Sequence, residues 1–123
     1  MGLADMQRDD TYELYQEGRA RLSRGDNAQA TVPLEEAKRR EPAKASIREA
    51  LGLAYLRLRR YRQAAEEFEF ILEAAPANDY AHYCLARCLD RMGQRRAARG
   101  HYKMAVWLRP EVPYYREAVA RLE

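Results

Sequence analysis

Histidine and cysteine, the side chains that most often bind zinc, are concentrated in one part of the chain, as His82, Cys84, Cys88 and His101. A zinc site needs four ligands that converge as a tetrahedron. Cys88 falls in the apolar stripe of a predicted helix and His101 lies on the next helix, so we expect these side chains to diverge. The sequence therefore predicts no metal site, and no other pattern in it predicts a cofactor.

The other residue patterns do not predict an enzyme. A nucleophilic cysteine needs a pocket and a base that stabilises the thiolate, and neither is evident beside Cys84 or Cys88. The sequence contains no glycine-rich phosphate loop, nucleophile elbow or paired-carboxylate signature. The acidic run between residues 66 and 73 alternates with apolar residues, as in an amphipathic helix with a solvated face. We expect no catalytic activity.

Composition limits the class of protein. A chain of 123 residues suits one domain that needs no disulfides, and the net charge of +3 is too small to imply a nucleic-acid or membrane partner. The first ten residues lack the apolar core of a secretory signal, and no stretch approaches the roughly 20 apolar residues of a membrane span. Cys84 and Cys88 lie four residues apart on one predicted helix, where a disulfide would be strained. We expect reduced thiols and a cytoplasmic protein.

Three prolines divide the chain into equal segments. Pro42, Pro76 and Pro110 follow one another at intervals of 34 residues, each after a helix-like run. Small residues that allow close helix packing, and large residues that fill the core, recur in the same register. These sets are Gly18, Gly52 and Ala86; Ala30, Ala64 and Ala98; and Leu34, Phe68 and Tyr102. The pattern predicts tandem pairs of helices.

This period resembles the tetratricopeptide repeat (TPR), a helix-turn-helix unit of 34 residues. The second repeat carries the TPR pattern best, with Leu51, Gly52, Tyr55, Ala64, Phe68 and Pro76. The first repeat departs from it, because Glu17 and Arg21 stand where Leu and Tyr are usual. The resemblance implies an all-α fold, a right-handed α-solenoid of three TPR units with a C-terminal solvating helix.

The expected organisation is a single domain over residues 11–123, with a flexible tail at residues 1–10. The repeats are expected at residues 11–44, 45–78 and 79–112, followed by a capping helix at about 112–122. The predicted helices are 11–24, 27–41, 45–58, 61–75, 79–92, 95–108 and 112–122. The first helix carries polar residues where later repeats are apolar, so we expect it to be the solvated start of the array.

In TPR proteins the first helices of successive pairs line a concave groove, and the resemblance implies that a ligand would lie there. In this chain that face collects Tyr and Arg, the side chains most often found as interface anchors. The candidate groove residues are Tyr12, Tyr15, Arg19, Glu49, Leu53, Arg57, Tyr80, Tyr83, Arg87, Arg91, Tyr114 and Arg121. The sequence predicts an adaptor, scaffold or co-chaperone-like module that binds a peptide segment of another protein. The alternative is that these side chains only cover helix seams and pair along helix surfaces.

Some TPR proteins hold the acidic C-terminal tail of heat-shock chaperones with a clamp of Lys, Asn and Arg. The corresponding residues here are Tyr15, Arg19, Ala50, Tyr80 and Cys84. Only Arg19 could serve, and one cation cannot replace a clamp that desolvates two carboxylates. Binding of a chaperone tail is therefore not expected.

Two other partners remain alternatives. Arginines collect where first helices end, at Arg24, Arg57, Arg59, Arg60, Arg62, Arg91, Arg95, Arg96 and Arg99. This edge could bind phosphate backbones or an acidic partner. Because no aromatic-rich nucleic-acid motif accompanies it, we expect these arginines to complement helix dipoles, and we do not expect a nucleic-acid partner. The chain could also form a homo-oligomer through the groove or the last helix. Trp107 occupies a usually polar position, and either packs against that helix or forms an exposed interaction site.

Overall fold

The computed structural model describes residues 3–123, with side chains from Asp10 onward. Regular structure in these residues is entirely helical, which confirms the predicted all-α class. The helices are α1 (Leu3–Ser23), α2 (Asn27–Arg40), α3 (Ala45–Arg57), α4 (Tyr61–Ala74), α5 (Asp79–Arg91), α6 (Arg95–Leu108) and α7 (Pro113–Arg121). Six of them begin and end within one residue of the predicted bounds.

The first helix differs from the prediction. It begins at Leu3 instead of residue 11, so it includes most of the segment predicted as a tail. Leu, Ala, Met, Gln and Arg in this segment are good helix formers, and no Gly or Pro interrupts them. Residues 1–2 lie outside the described residues.

The chain divides into two compact units between Arg59 and Arg60. The first unit contains α1, α2 and α3, and the second contains α4, α5, α6 and α7. The division falls between the two helices of the second expected repeat. A single domain over residues 11–123 and the three repeat boundaries therefore stay predictions.

The second helix of each pair ends in the same way. The capping residues Glu41, Ala75 and Arg109 have φ of -134°, -136° and -139°, and each amide donates to the carbonyl four residues earlier. A proline follows each of them, which removes the next amide donor and disfavours helical backbone in the preceding residue. The 34-residue spacing of prolines therefore corresponds to a repeated helix end.

The turn inside each pair also repeats. Gly25 and Gly93 adopt positive φ of 80° and 81°, and Arg59 occupies the matching position with φ of 62°. Glycine adopts this left-handed conformation without strain, whereas a residue with a Cβ atom does not. Arg59 therefore carries local backbone strain.

The core of the first unit is built from small and large residues that alternate between helices. Leu34 is fully buried. A Cβ atom added to Gly18 of α1 would lie 2.4 Å from the Cγ atom of Leu34. Gly18 thus allows α1 to lie directly against α2. The residues predicted for the solvated start of the array are exposed, and they are Glu13, Glu17, Ala20 and Arg24.

The core of the second unit is more aromatic. Phe68, Tyr102 and Tyr115 are buried, as are the free thiols of Cys84 and Cys88. Burial raises the pKa of Cys88 to about 12, so this thiol stays protonated at neutral pH. Within residues 3–123, no helix has both the length and the apolar character that crossing a membrane requires.

Candidate functional site

A cavity of about 230 Å³ opens between α1 and α3 of the first unit. Its lining residues are Tyr15, Arg19, Leu22, Ser23, Ser46, Glu49, Ala50, Leu53 and Arg57. Five of the six groove residues predicted in this unit are among them, and the sixth, Tyr12, lies in a smaller neighbouring pocket with Thr11 and Lys44. We call this space the α1/α3 cavity.

The cations of the α1/α3 cavity have different surroundings. Arg19 donates from Nη1 to the Tyr15 hydroxyl at 3.0 Å, and this hydrogen bond raises the pKa of Arg19, which stays charged. Arg57 donates to the Leu22 carbonyl at 3.0 Å and lies 3.5 Å from the Asn27 side-chain oxygen. Arg57 therefore ties α3 to the end of α1, whereas Arg19 donates to Tyr15 from one nitrogen and keeps other N–H groups for a ligand.

The second unit contains a tyrosine cluster formed by α5, α6 and α7. The Tyr83 ring lies at its centre, with ring-centroid distances of 6.3, 5.6, 5.1 and 5.2 Å to Tyr80, Tyr102, Tyr114 and Tyr115. Tyr114 also meets Tyr115 edge-on at 4.9 Å. These offset and edge-to-face geometries are the ones that aromatic pairs prefer. Three predicted groove tyrosines, Tyr80, Tyr83 and Tyr114, are therefore brought together.

Two buried tyrosines form the floor of the tyrosine cluster. Tyr115 donates to the Asp79 carboxylate at 2.6 Å, and Tyr102 lies 3.5 Å from an Arg121 nitrogen. Burial raises the pKa of Tyr102 to about 12 and also raises the pKa of Tyr115. The sequence pattern predicts Tyr102 only as a core residue, at the repeat position of Leu34 and Phe68. The signal for its second role is the hydroxyl group that Leu34 and Phe68 lack.

The predicted groove arginines of the second unit do not share one environment. The Arg87 guanidinium lies 5.9 Å from the Tyr83 ring centroid, and Arg121 reaches the Asp90 carboxylate at 3.8 Å as well as Tyr102. Arg91 instead stacks on Tyr61 of α4 at 5.6 Å. Arg87 and Arg121 thus border the tyrosine cluster, whereas Arg91 is engaged beside α4.

The two histidines converge, and the expectation that they diverge is wrong. Their Nδ1 atoms lie 3.0 Å apart, and the rings stack with a centroid distance of 5.3 Å. The reason is that α5 and α6 are joined by a short turn and pack together, which brings His82 opposite His101. No third His, Cys, Asp or Glu in the described part of the chain completes a metal-binding group with them.

The positions of the ring protons in the histidine pair follow from the hydrogen-bond partners of each nitrogen. His82 Nε2 lies 2.8 Å from the Pro76 carbonyl, which can only accept, so Nε2 carries a proton. A neutral His82 then accepts at Nδ1 from His101 Nδ1–H. Burial, together with the charge of His82 when protonated, holds the pKa of His101 below its usual value.

Several edge arginines are engaged inside their own unit. Arg24 pairs with Asp26 at 3.3 Å, and Arg99 pairs with Glu123 at 3.3 Å. Arg57 and Arg91 make the contacts described above. The remaining edge residues, Arg59, Arg60, Arg62, Arg95 and Arg96, are exposed.

Trp107 is 78% exposed, so packing against the closing helix buries little of its ring. The closing helix α7 buries Tyr115 and Ala118, while Arg116 and Val119 lie beside Trp107 at its margin. The indole ring is therefore left on the surface.

A model of the tetratricopeptide repeat family matches residues 55–122, more than half of the chain. The chain belongs to the tetratricopeptide repeat family. The identification made from the 34-residue period is confirmed, and the TPR fold is one that proteins use to bind other proteins.

Known proteins similar to this TPR chain include a curated relative and many solved structures. The relative is the tetratricopeptide repeat and J domain-containing co-chaperone DNJ1 of Fusarium oxysporum f. sp. lycopersici, 36% identical over 84 residues. The match covers 68% of this chain but only 16% of that protein.

Among solved structures, MamA (41 to the end) from Desulfovibrio magneticus RS-1 is 26% identical, with a TM-score of 0.88. The match covers 91% of this chain and 63% of MamA. The second TPR domain of human RPAP3, in complex with the HSP70 peptide SGPTIEEVD, has a TM-score of 0.86 at 13% identity, covering 94% of this chain and 97% of that domain. At that identity the likeness concerns the fold alone.

Proposed function

We propose that this TPR chain binds peptide segments of a partner protein and catalyses no reaction. The observation that carries the proposal is the α1/α3 cavity, since five residues that the TPR resemblance implies as ligand contacts line one opening. Its volume of about 230 Å³ lies below the roughly 300–1,000 Å³ of small-molecule pockets. That size suits one or two side chains of a peptide.

The chemistry of the α1/α3 cavity fits an apolar side chain and its adjoining backbone. Leu53 and Ala50 offer an apolar wall, while Glu49 can accept a peptide N–H and Arg19 can donate to a peptide carbonyl or carboxylate. Tyr12, which is 60% exposed, extends the surface on α1. Such a mixture of one apolar wall and a few placed polar groups is typical of peptide recognition.

The tyrosine cluster is the second proposed binding surface. Tyr114 is exposed, Tyr83 is half-buried, and Arg87 lies over the Tyr83 ring. Because Tyr102 and Tyr115 hold the floor in place, a ligand that packs there would lose little side-chain entropy from the protein. Tyrosine and arginine are also the side chains most enriched among residues that dominate binding energy.

The proposed partner segment is not an acidic chaperone tail. RPAP3 binds such a peptide, and DNJ1 is named a co-chaperone. In this chain two of the corresponding clamp positions are Ala50 and Cys84, which are buried and offer no donor suited to a carboxylate. We propose instead a segment that inserts an apolar side chain into the α1/α3 cavity.

We also propose that the protein works in a reducing compartment, the cytoplasm. Cys84 and Cys88 are free and buried, and burial keeps the Cys88 thiol protonated. Such thiols persist where glutathione and thioredoxin keep cysteines reduced.

The proposal is tested by blocking the α1/α3 cavity. Leu53→Arg places a long charged side chain in the opening, and Val32→Arg, at a position on α2 that is 65% exposed, is the matched control. We expect the wild type and Val32→Arg to capture the same partner proteins, which are quantified by mass spectrometry. Leu53→Arg should lose these proteins. Circular dichroism checks that both variants are folded. Equal capture by all three proteins would end the assignment.

A further inference from the structure

An apolar surface on the second unit has no role in the proposed function. Side chains of α6 and α7 line an open cavity of about 300 Å³, and we call it the Trp107 patch. Its residues are Lys103, Val106, Trp107, Arg116 and Val119. None of them belongs to the tyrosine cluster or to the α1/α3 cavity.

The exposure of the Trp107 patch is unusual for a soluble protein surface. Trp107 is 78% exposed, and Met104, one turn earlier on α6, is 40% exposed. Burying a large apolar side chain stabilises a protein relative to leaving it exposed to water. An aromatic residue exposed beside other apolar groups is typical of a surface that binds another molecule.

Two cations border the Trp107 patch without a balancing charge. Lys103 lies on α6 and Arg116 on α7, and no carboxylate of residues 10–123 forms an ion pair with either. Arg116 donates from Nη1 to the Pro110 carbonyl, which leaves its other N–H groups for a ligand. Positive charge next to an apolar surface is complementary to carboxylates that flank an apolar side chain.

We propose that the Trp107 patch binds a segment of a partner protein in which an apolar side chain is flanked by Asp or Glu. The apolar side chain packs on Trp107 and between Val106 and Val119, and the carboxylates meet Lys103 and Arg116. A second copy of this chain fits less well. A two-fold symmetric contact would bring the cations of both copies together.

The test is selection from a phage-displayed library of random peptides on the immobilised full chain. Lys103→Glu/Arg116→Glu reverses the charge of the patch. The matched control is Arg95→Glu/Arg96→Glu, which changes the net charge equally at two exposed positions on the same helix. We expect enriched peptides to share an apolar residue flanked by acidic ones.

A synthetic peptide with that consensus then provides the measurement. Trp107 is the only tryptophan of the sequence, so its fluorescence reports contact at the patch directly. We expect the Trp107 emission to shift when the peptide binds. Fluorescence anisotropy of the labelled peptide should show at least about tenfold weaker binding to Trp107→Ala and to Lys103→Glu/Arg116→Glu. The Arg95/Arg96 control and Leu53→Arg should bind as the wild type does.

The outcomes separate this proposal from the proposed function. If Leu53→Arg were the only variant to lose binding of the peptide, the peptide would bind in the α1/α3 cavity. That result would overturn the patch proposal and leave the proposed function intact. Absence of enrichment, a consensus without acidic residues, or equal binding to Trp107→Ala would also overturn it. So would light scattering that shows a wild-type dimer abolished by Trp107→Ala.

Discussion

The hydroxyl of Tyr115 donates a 2.6 Å hydrogen bond to the carboxylate of Asp79, which joins α7 to the first residue of α5. Tyr115 is only 1% exposed and lies under the tyrosine cluster. One short polar contact thus supports the aromatic surface proposed for binding.

Removing that hydroxyl should weaken the second unit. Hydrogen bonds to charged groups contribute about 1.5–3 kcal/mol to the free energy of unfolding. Because Asp79 is partly exposed, water can replace some of the hydrogen bonding that its carboxylate loses. We expect Tyr115→Phe to lower the free energy of unfolding by roughly 1–2 kcal/mol, measured by urea denaturation. Tyr12→Phe removes a hydroxyl from a ring that is 60% exposed and should change it little. Equal stability of Tyr115→Phe and wild type would show that the hydrogen bond contributes nothing.

Gly18 should not tolerate a methyl group. An alanine Cβ would lie 2.4 Å from Leu34 Cγ in a fully buried site, and overpacking of this kind costs about 1–3 kcal/mol. The gain in helix propensity of about 1 kcal/mol offsets only part of this cost. We expect Gly18→Ala to lower the midpoint of thermal unfolding.

Gly100 on α6 is the matched control for Gly18. A Cβ atom there meets nothing within 4 Å, so Gly100→Ala should stabilise the protein by about 1 kcal/mol through helix propensity alone. If both alanine variants were stabilised, close packing of Gly18 against Leu34 would not be limiting.

The strained turn at Arg59 predicts a stabilising substitution. A residue with a Cβ atom in the left-handed region costs roughly 1–2 kcal/mol, and Arg59→Gly removes that strain while adding freedom to the unfolded chain. We expect a net gain of about 0.5–1 kcal/mol in chemical denaturation. The reverse change, Gly25→Ala at φ of 80°, should destabilise the first unit. A loss of stability in Arg59→Gly would mean that the Arg59 side chain makes a contact worth more than the strain.

The histidine pair predicts a pH dependence of stability. Burial, and then the charge of His82, lower the pKa of His101, so the folded state favours neutral His101. The contribution of His101 to the free energy of unfolding is full above the unfolded-state pKa of about 6.5. It is lost as pH falls through the lower pKa of the folded state. We expect the urea midpoint of the wild type to fall between pH 7 and pH 5 more steeply than that of His101→Gln. Parallel curves would contradict the shift.

Backbone features of the fold could be predicted from sequence because their causes are local. Each helix end before Pro42, Pro76 and Pro110 follows from a missing amide donor, and the turns at Gly25 and Gly93 follow from the freedom of glycine. The polar pattern of residues 3–10 does not predict the early start of α1, although Leu, Ala, Met, Gln and Arg there favour helix.

Side-chain relationships were harder to predict because they depend on how each helix is rotated against its neighbours. The contact between His82 and His101 requires the packing of α5 on α6, which a repeat period does not specify. The exposure of Trp107 depends on which residues α7 buries. The TPR resemblance places Tyr15, Arg19 and Leu53 on the groove-facing sides of first helices, and these side chains line the α1/α3 cavity. That a ligand binds there stays a prediction.

Site-specific photocrosslinking can show whether a peptide segment of a partner protein enters the α1/α3 cavity. Tyr15 lines this cavity and Val32 is exposed on α2, so p-benzoylphenylalanine replaces each of them in turn in cells. We expect position 15 to crosslink to a defined segment of a partner protein, identified by mass spectrometry, and position 32 not to crosslink to it. Crosslinks of the same partners from both positions, or none from position 15, would contradict it.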